Sequence, residues 1–136
     1  MTLFRTSEWY SPELLRANPD YIFVFGDNLQ RTGKGGQAII RDEPNALGLA
    51  TKCFPGMNPE HFFLDAMIED EVNLLHDIAK VYHRALTENV VIPFSTRVEL
   101  GTGLSQLPER APALYAILSE HFTIELPVAP LVIPGA

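Results

Sequence analysis

The order of hydrophobic and polar positions along the chain predicts buried strands that alternate with helices. Residues 21–25 are five apolar residues in a row without alternation, which is typical of a strand covered on both faces. Residues 89–93 form a second candidate buried strand, in which four apolar residues follow Asn89, and residues 46–50 form another short candidate strand. Residues 1–10 are interpreted as a short strand or an arm.

Four helices are predicted between and after these strands, and one of them begins near Gln37. Ser11 followed by Pro12 is a capping serine with proline at the first helical position, and it begins a short helix. The clearest helix covers residues 65–86, with Asp77 on its polar, solvent-facing side. The face expected to meet the core has a 4-3-4-3-4 spacing and comprises Ile68, Val72, Leu75, Ala79, Tyr82 and Leu86. The last helix covers residues 109–122, with its inward positions at Ala111, Leu114, Leu118 and Phe122.

This alternation predicts an α/β fold, with a mixed, mostly parallel sheet between helices on both faces in three α-β-α layers. The 136 residues fit one domain, with a core of about residues 21–122. The proline-rich residues 123–136 are interpreted as a C-terminal arm or an edge strand. In such sheets ligands bind beyond the carboxyl ends of the strands.

The amino-acid composition of the chain argues against several classes of function. Hydrophobic residues make up 46% and charged residues 20%, no apolar run is long enough to cross a membrane, and the N-terminus lacks the features of a signal peptide. With a single cysteine, these features predict a cytoplasmic protein that does not bind membranes. The net charge of −7 argues against binding to duplex nucleic acid. An anionic ligand would therefore be held mainly by backbone N–H groups.

The first candidate site is FGDNLQRTGKGGQ, residues 25–37, which follows a buried strand. Asp27 and Asn28 stand where the strand ends, and the glycines that follow let backbone N–H groups approach a phosphate. A helix predicted to begin near Gln37 would add its positive end. The spacing G-x-G-G matches neither a dinucleotide fingerprint nor a P-loop. A plain turn between strand and helix is the alternative, since turns also need glycine.

The second candidate site is PFSTRVELGTGLSQLP, residues 93–108, which follows another buried strand. Gly101 and Gly103 can expose successive N–H groups, and Thr102 can add a hydroxyl. Either loop alone is a weak signal. Two such loops in one small domain could hold the two sides of a diphosphate.

With these segments the chain resembles the macro-domain-like family, which binds ADP-ribose and related nucleotides. VFGDNL, GKGGQAIIRDEPNALGLATK and GTGL are similar to a bacterial and phage branch of that family, and Ile92-Pro93 matches the end of its later strand. The resemblance covers residues 21–122. It implies a macro-like domain that binds ADP-ribose or a related phosphorylated nucleotide, with either binding alone or hydrolysis of an ADP-ribosyl or nucleotide glycosidic linkage.

The resemblance implies that Asn28 contacts the distal ribose and that Asp27 orients a water if hydrolysis occurs; for Asp27, an Asx turn is the alternative. Lys52 and Arg97 are candidate phosphate partners or surface cations. The full set of candidate ligand-binding residues is Gly26, Gly33, Lys34, Gly35, Gly36, Gln37, Lys52, Arg97, Gly101, Thr102, Gly103 and Leu104. No cofactor is expected. No metal site is expected either, because no histidine has a ligand-spaced partner.

Several alternatives remain open from the sequence. Trp9 is expected to pack on the core, with a stacking platform as the alternative. Arg41 is interpreted as a solvated helix end or as a group that closes over the ligand. Cys53 is expected to be structural rather than nucleophilic. The whole chain could instead be a non-catalytic phage or bacterial accessory protein whose main role is protein–protein interaction.

Overall fold

The computed structural model describes residues 2–94, 99–122 and 125–135. Within them the sheet has four strands in the order β1-β4-β2-β3. The strands are β1 (Thr2–Thr6), β2 (Tyr21–Asn28), β3 (Ala46–Lys52) and β4 (Asn89–Pro93). All three pairings are parallel, so the predicted α/β fold is confirmed, and the described sheet is parallel throughout rather than mixed.

In the described segments, four α-helices and two short 3-10 helices connect and cover these strands. The helices are α1 (Pro12–Ala17), α2 (Ile68–Ala85), α3 (Leu107–Arg110) and α4 (Pro112–His121). The 3-10 helices are Gly36–Ile40 and Pro59–His61. As predicted, the Ser11 side chain caps α1, where its hydroxyl oxygen accepts the N–H of Leu14 at 3.1 Å.

The central strand β2 explains the unbroken apolar run in the sequence. Ile22 and Val24 point into one core, which also contains buried residues of α2 and α4. Phe23 and Phe25 point into a second core with residues of α1 and the first 3-10 helix. Both faces of the strand are therefore covered, which gives the three expected layers.

The prediction of which face of α2 packs against the core is wrong. The helix packs on the sheet through Leu74, Ile78 and Val81, whereas the 4-3-4-3-4 stripe that the spacing favoured is exposed. Asp77, expected in solvent, is 1% exposed, and its Oδ2 accepts the N–H of Ala50 on the edge strand β3 at 2.7 Å. A charged residue on the buried face made that face look polar in the sequence.

The predicted last helix is two helices, with the break at Ala111. The residue before a proline is disfavoured in the α conformation, and Ala111 (φ −145°) precedes Pro112 at the first position of α4. The four residues of the predicted helix that were expected to point inward are nevertheless all buried; they are Ala111, Leu114, Leu118 and Phe122. Residues 125–135 form an arm along β1, where Ala129 donates its N–H to the carbonyl of Arg5 at 2.9 Å. No helix in the described segments is both long enough and apolar enough to cross a bilayer.

Candidate functional site

A cleft of about 460 Å³ lies at the carboxyl ends of β2 and β4 and contains both glycine loops in its lining. The first loop contributes Gly33, Gly35 and Gly36, and the second contributes residues 101–105. The two loops approach each other closely, since a Cβ atom at Gly35 would lie 3.2 Å from Cδ1 of Leu104. The two segments that the sequence singled out therefore face one another across one cleft.

Both loops carry backbone N–H groups that are free to bind a ligand. In the described part of the chain, several loop residues of the cleft lining donate no backbone hydrogen bond, and six of these N–H groups are singled out because three lie on each loop. They belong to Gly35, Gly36, Gln37, Gly101, Gly103 and Leu104. Gly36 (φ +56°) and Gly101 (φ +85°) have left-handed backbone conformations that favour glycine. Successive N–H groups of this kind form an anion-binding surface.

The helix expected to begin near Gln37 is only a five-residue 3-10 helix, Gly36–Ile40. So short an element has a small dipole, and anion binding at the first loop rests on the N–H groups themselves. The Gln37 side chain points back to the scaffold, where its Oε1 accepts the N–H of Tyr10 at 3.0 Å. Its Nε2 is buried without a partner in the described residues.

Asp27 is buried at the end of β2 and is surrounded by donors. Arg41 donates to both of its carboxylate oxygens, from Nη1 at 3.1 Å and Nη2 at 2.6 Å. Arg31 lies 3.6 Å away, and the N–H of Asn28 donates at 2.8 Å. Two guanidinium groups neutralise this carboxylate, so its contacts suit positioning better than proton abstraction.

The side chain of Asn28 lines the cleft and shapes the first loop. Its Nδ2 donates to the carbonyl of Thr32 at 2.8 Å, and its Oδ1 accepts the N–H of Gln30 at 3.0 Å. The second loop is closed in a similar way by Thr102, whose hydroxyl donates to the carbonyl of Glu99 at 2.8 Å. The hydroxyl proton of Thr102 is therefore not available to a phosphate.

The three cationic residues predicted to bind phosphate do not all lie in the cleft. Lys52 lines the cleft, but its Nζ donates to the carbonyl of Gly56 at 2.7 Å and lies 4.7 Å from the centre of the Phe62 ring. Burial, and then the nearby Arg110, lower the pKa of Lys52. Lys34 is outside the cleft lining and pairs with Asp42. The remaining predicted cation, Arg97, lies outside the described residues.

Three further residues line the cleft: Trp9 and Arg41, for which the sequence offered a site role only as an alternative, and Glu99, which it did not single out as a site residue. Trp9 is 58% exposed, not packed on the core as expected. It follows β1, which ends at the same edge of the parallel sheet as β2 and β4, and this is the one signal that could have located it. The Glu99 carboxylate accepts the hydroxyl of Tyr115 and forms no ion pair with a described cation.

The other candidates for chemistry lie outside the cleft lining. Burial, together with the neighbouring Asp70 carboxylate, raises the pKa of the Cys53 thiol to about 11, which keeps it protonated and supports a structural role. His76 and His83 are exposed on α2. Among the residues with described positions, no three His, Cys, Asp or Glu side chains form a group suited to a metal ion.

Comparison of the sequence with models of protein families assigns the chain to one family. A model for a family of unknown function, DUF7831, matches residues 5–121, and the chain belongs to that family. Comparison with curated proteins and with solved structures finds no match.

Proposed function

We propose that this protein binds ADP-ribose or a related phosphorylated nucleotide in the cleft between its two glycine loops. The observation that carries the proposal is that each loop has at least three backbone N–H groups without a partner in the described residues, all bordering one cleft. A volume of about 460 Å³ is in the range of small-molecule sites. The resemblance to macro-domain-like proteins supports the same ligand class, and the single cysteine favours a cytoplasmic location.

Charges in the cleft favour backbone recognition of a diphosphate. Of the described cations in the lining, Arg41 is paired with Asp27, and Lys52 is held by carbonyls of its own loop. Since the chain as a whole carries a net charge of −7, free positive charge contributes little to binding. The N–H groups of the two loops are then the main partners for phosphate oxygens, one phosphate to each loop.

Apolar groups at the cleft can hold the nucleoside. Trp9 and Leu104 both line the cleft and are 58% and 57% exposed. An exposed indole at a ligand site offers a flat surface for a base, and stacking of this kind contributes about 1–3 kcal/mol. The ligand therefore needs both an anionic part and an aromatic part, as a nucleotide has.

Hydrolysis of an ADP-ribosyl linkage is a second candidate function, and the position of the Glu99 carboxylate at the cleft favours it. Its carboxylate borders the cleft and forms no ion pair with a described cation, whereas Asp27 is neutralised by two arginines. A general base must be free to accept a proton. Incubation with ADP-ribosylated protein tests this: Glu99→Gln should abolish product release and retain binding. Turnover that survives Glu99→Gln would refute this role for Glu99.

The binding proposal is tested by thermal unfolding with ADP-ribose, ADP, AMP and inorganic phosphate. A ligand at about 100 times its dissociation constant adds about 2.7 kcal/mol of stability. A domain of this size then melts several degrees higher. We expect ADP-ribose and ADP to raise the melting temperature more than AMP, and phosphate to have the smallest effect.

A matched pair of variants tests the role of the loop backbone. Gly36 (φ +56°) and Gly135 (φ +77°) both adopt left-handed conformations, and a Cβ would not clash at either. Gly36→Ala should weaken nucleotide binding at least tenfold, because it distorts the first loop, and Gly135→Ala in the C-terminal arm should not. If no nucleotide shifts the melting temperature of the native chain, the proposal is wrong, and a role in protein–protein interaction becomes the better account.

A further inference from the structure

Arg31, in the first glycine loop, has a backbone conformation that residues with a side chain rarely adopt. Its φ is +57°, and among the described residues Gln106 is the only other non-glycine residue with a positive φ. Two glycines of the same loop, Gly33 (φ +90°) and Gly36 (φ +56°), adopt such angles without strain. An arginine in this conformation carries a cost that the surrounding structure must offset. The contacts of its side chain, which a glycine would lack, provide that offset.

The Arg31 guanidinium bridges two buried carboxylates. Its Nη2 lies 2.8 Å from Oδ2 of Asp77 on α2 and donates to Oδ1 of the same carboxylate at 3.1 Å. Its Nη1 lies 3.6 Å from Oδ2 of Asp27 at the end of β2. The side chains of Asp77 and Asp27 are 1% and 3% exposed. Hydrogen bonds between charged groups are among the strongest in proteins, and burial strengthens them.

The groups that Arg31 contacts are themselves held by the sheet. Asp27 on β2 pairs in register with Ala50 on β3, and the N–H of Ala50 donates to Oδ2 of Asp77 at 2.7 Å. The backbone of Arg31 is also restrained, because its N–H donates to the carbonyl of Asn28 at 3.0 Å. One arginine therefore connects the start of the first loop with β2, β3 and α2.

We infer that Arg31 is a positioning residue for the first glycine loop and that it acts through its bridge to Asp77 and Asp27. The inference deepens the proposed function and rests on it, because the N–H groups of this loop are the proposed phosphate partners. Arg31 itself is outside the cleft lining. Arg41 restrains the next two carbonyls of the loop, so the two arginines hold adjacent parts of it. A loop that is ordered before binding loses less conformational entropy when the ligand binds.

Two substitutions separate the side chain of Arg31 from its backbone conformation. Arg31→Gln keeps a non-glycine residue at φ +57° and removes the guanidinium, whereas Arg31→Gly also removes the backbone strain. Urea unfolding should therefore find Arg31→Gly more stable than Arg31→Gln. Isothermal titration with ADP-ribose, well below the melting temperature, should find binding by both variants weakened roughly tenfold. A purely structural role would instead make affinity follow stability.

Arg84→Gln is the matched control. Arg84 also forms a two-pronged pair, with Glu88, and its side chain is 36% exposed, close to the 40% of Arg31. This pair is at the last turn of α2 and outside the cleft lining, so the variant should bind ADP-ribose with native affinity. Arg31→Lys keeps the charge but lacks the planar fork that contacts two carboxylates, and it should recover only part of the affinity.

The order of the loop can be measured without any ligand. NMR relaxation of the backbone amide nitrogens gives an order parameter for each N–H group. In Arg31→Gln the order parameters of Gly35 and Gly36 should fall below their native values. Those of Gly101 and Gly103 in the second loop should not change, because Arg31 has no contact with that loop.

The two measurements distinguish failure of this inference from failure of the proposed function. If the native chain binds ADP-ribose and Arg31→Gln or Arg31→Gly binds it equally well, the nucleotide site stands and the role of Arg31 is overturned. A native chain that binds no nucleotide would overturn the proposed function. The order parameters still decide in that case whether Arg31 holds the loop, and native values at Gly35 and Gly36 in Arg31→Gln would show that it does not.

Discussion

The guanidinium of Arg41 joins the buried Asp27 carboxylate to the first glycine loop. Two of its nitrogens donate to the carboxylate, while Nε donates to the carbonyl of Gly33 at 2.7 Å and Nη2 to that of Thr32 at 3.0 Å. One side chain thus fixes the loop relative to the end of β2. The free N–H groups of the loop keep their positions because of this contact, which gives Arg41 a positioning role.

Replacing Arg41 should therefore lower both stability and nucleotide affinity. In Arg41→Gln the buried Asp27 keeps only Arg31, at 3.6 Å, as a charged partner. Breaking a buried pair in this way costs about 3–5 kcal/mol, which urea unfolding measures. Isothermal titration with ADP-ribose should show weaker binding in the folded variant, because the first loop is no longer held.

The matched control is Arg16→Gln. Arg16 also forms a two-pronged pair, with Glu43, but its side chain is 65% exposed. Such surface pairs contribute little, so neither stability nor affinity should change appreciably. Adding Asp27→Asn to Arg41→Gln should restore part of the lost stability, since no unpaired charge remains. Equal losses in Arg16→Gln and Arg41→Gln would contradict this account.

Gly48 on β3 provides the space that the Asp27 carboxylate occupies. A Cβ atom at this position would lie 2.2 Å from Oδ2 of Asp27. Gly48→Ala should therefore displace the carboxylate and destabilise the fold by about 1–3 kcal/mol, measured by urea unfolding. Gly26→Ala on β2 is the control, because its Cβ would make an ordinary 3.7 Å contact with Thr51. If Gly26→Ala lost as much stability as Gly48→Ala, crowding of Asp27 would not be the cause.

Asp77 should make stability depend on pH. Burial alone would raise its pKa, but the N–H of Ala50 and the Arg31 guanidinium outweigh burial and lower the pKa below the usual value. The ionised carboxylate therefore stabilises the fold at pH values above its unfolded pKa of about 3.9. This contribution is lost as the pH falls through the lower, folded value.

Urea unfolding of Asp77→Asn at several pH values measures this contribution. The variant should be about 1–3 kcal/mol less stable than the native chain at neutral pH, where a hydrogen-bonded charge is lost. The difference should shrink as the pH falls below about 4, because the unfolded carboxyl takes up a proton before the folded one does. Asp42→Asn is the control, since its side chain is 70% exposed and should show little change at any pH. A difference that is constant down to pH 2 would refute the assignment to ionisation.

Trp9 is the only tryptophan of the chain, and it lines the cleft. Its fluorescence should therefore report ligand binding directly. We expect a saturable change on titration with ADP-ribose and no change with ribose 5-phosphate, which has no base to stack. Trp9→Ala should weaken ADP-ribose binding by roughly tenfold, measured by calorimetry, because base stacking contributes about 1–3 kcal/mol. Unchanged affinity in this variant would place the base elsewhere.

Local sequence patterns were enough to predict the buried strands, the capped start of α1 and the positions of the two glycine loops. These features have local causes: apolar runs in β2 and β4, the Ser11 cap, and glycines where the backbone needs φ > 0. Parallel strands bring their carboxyl ends to one edge of the sheet, so the meeting of the two loops also followed from the sequence.

The packing of the folded chain, in contrast, determines which face of α2 is buried and which groups surround Asp27. Asp77 lies on the buried face because its partners are Ala50 and Arg31, which are distant in the chain. Arg41 reaches Asp27 across 14 positions. A charged side chain is stable inside a protein only where such partners converge, and no local pattern of hydrophobic and polar residues contains that information.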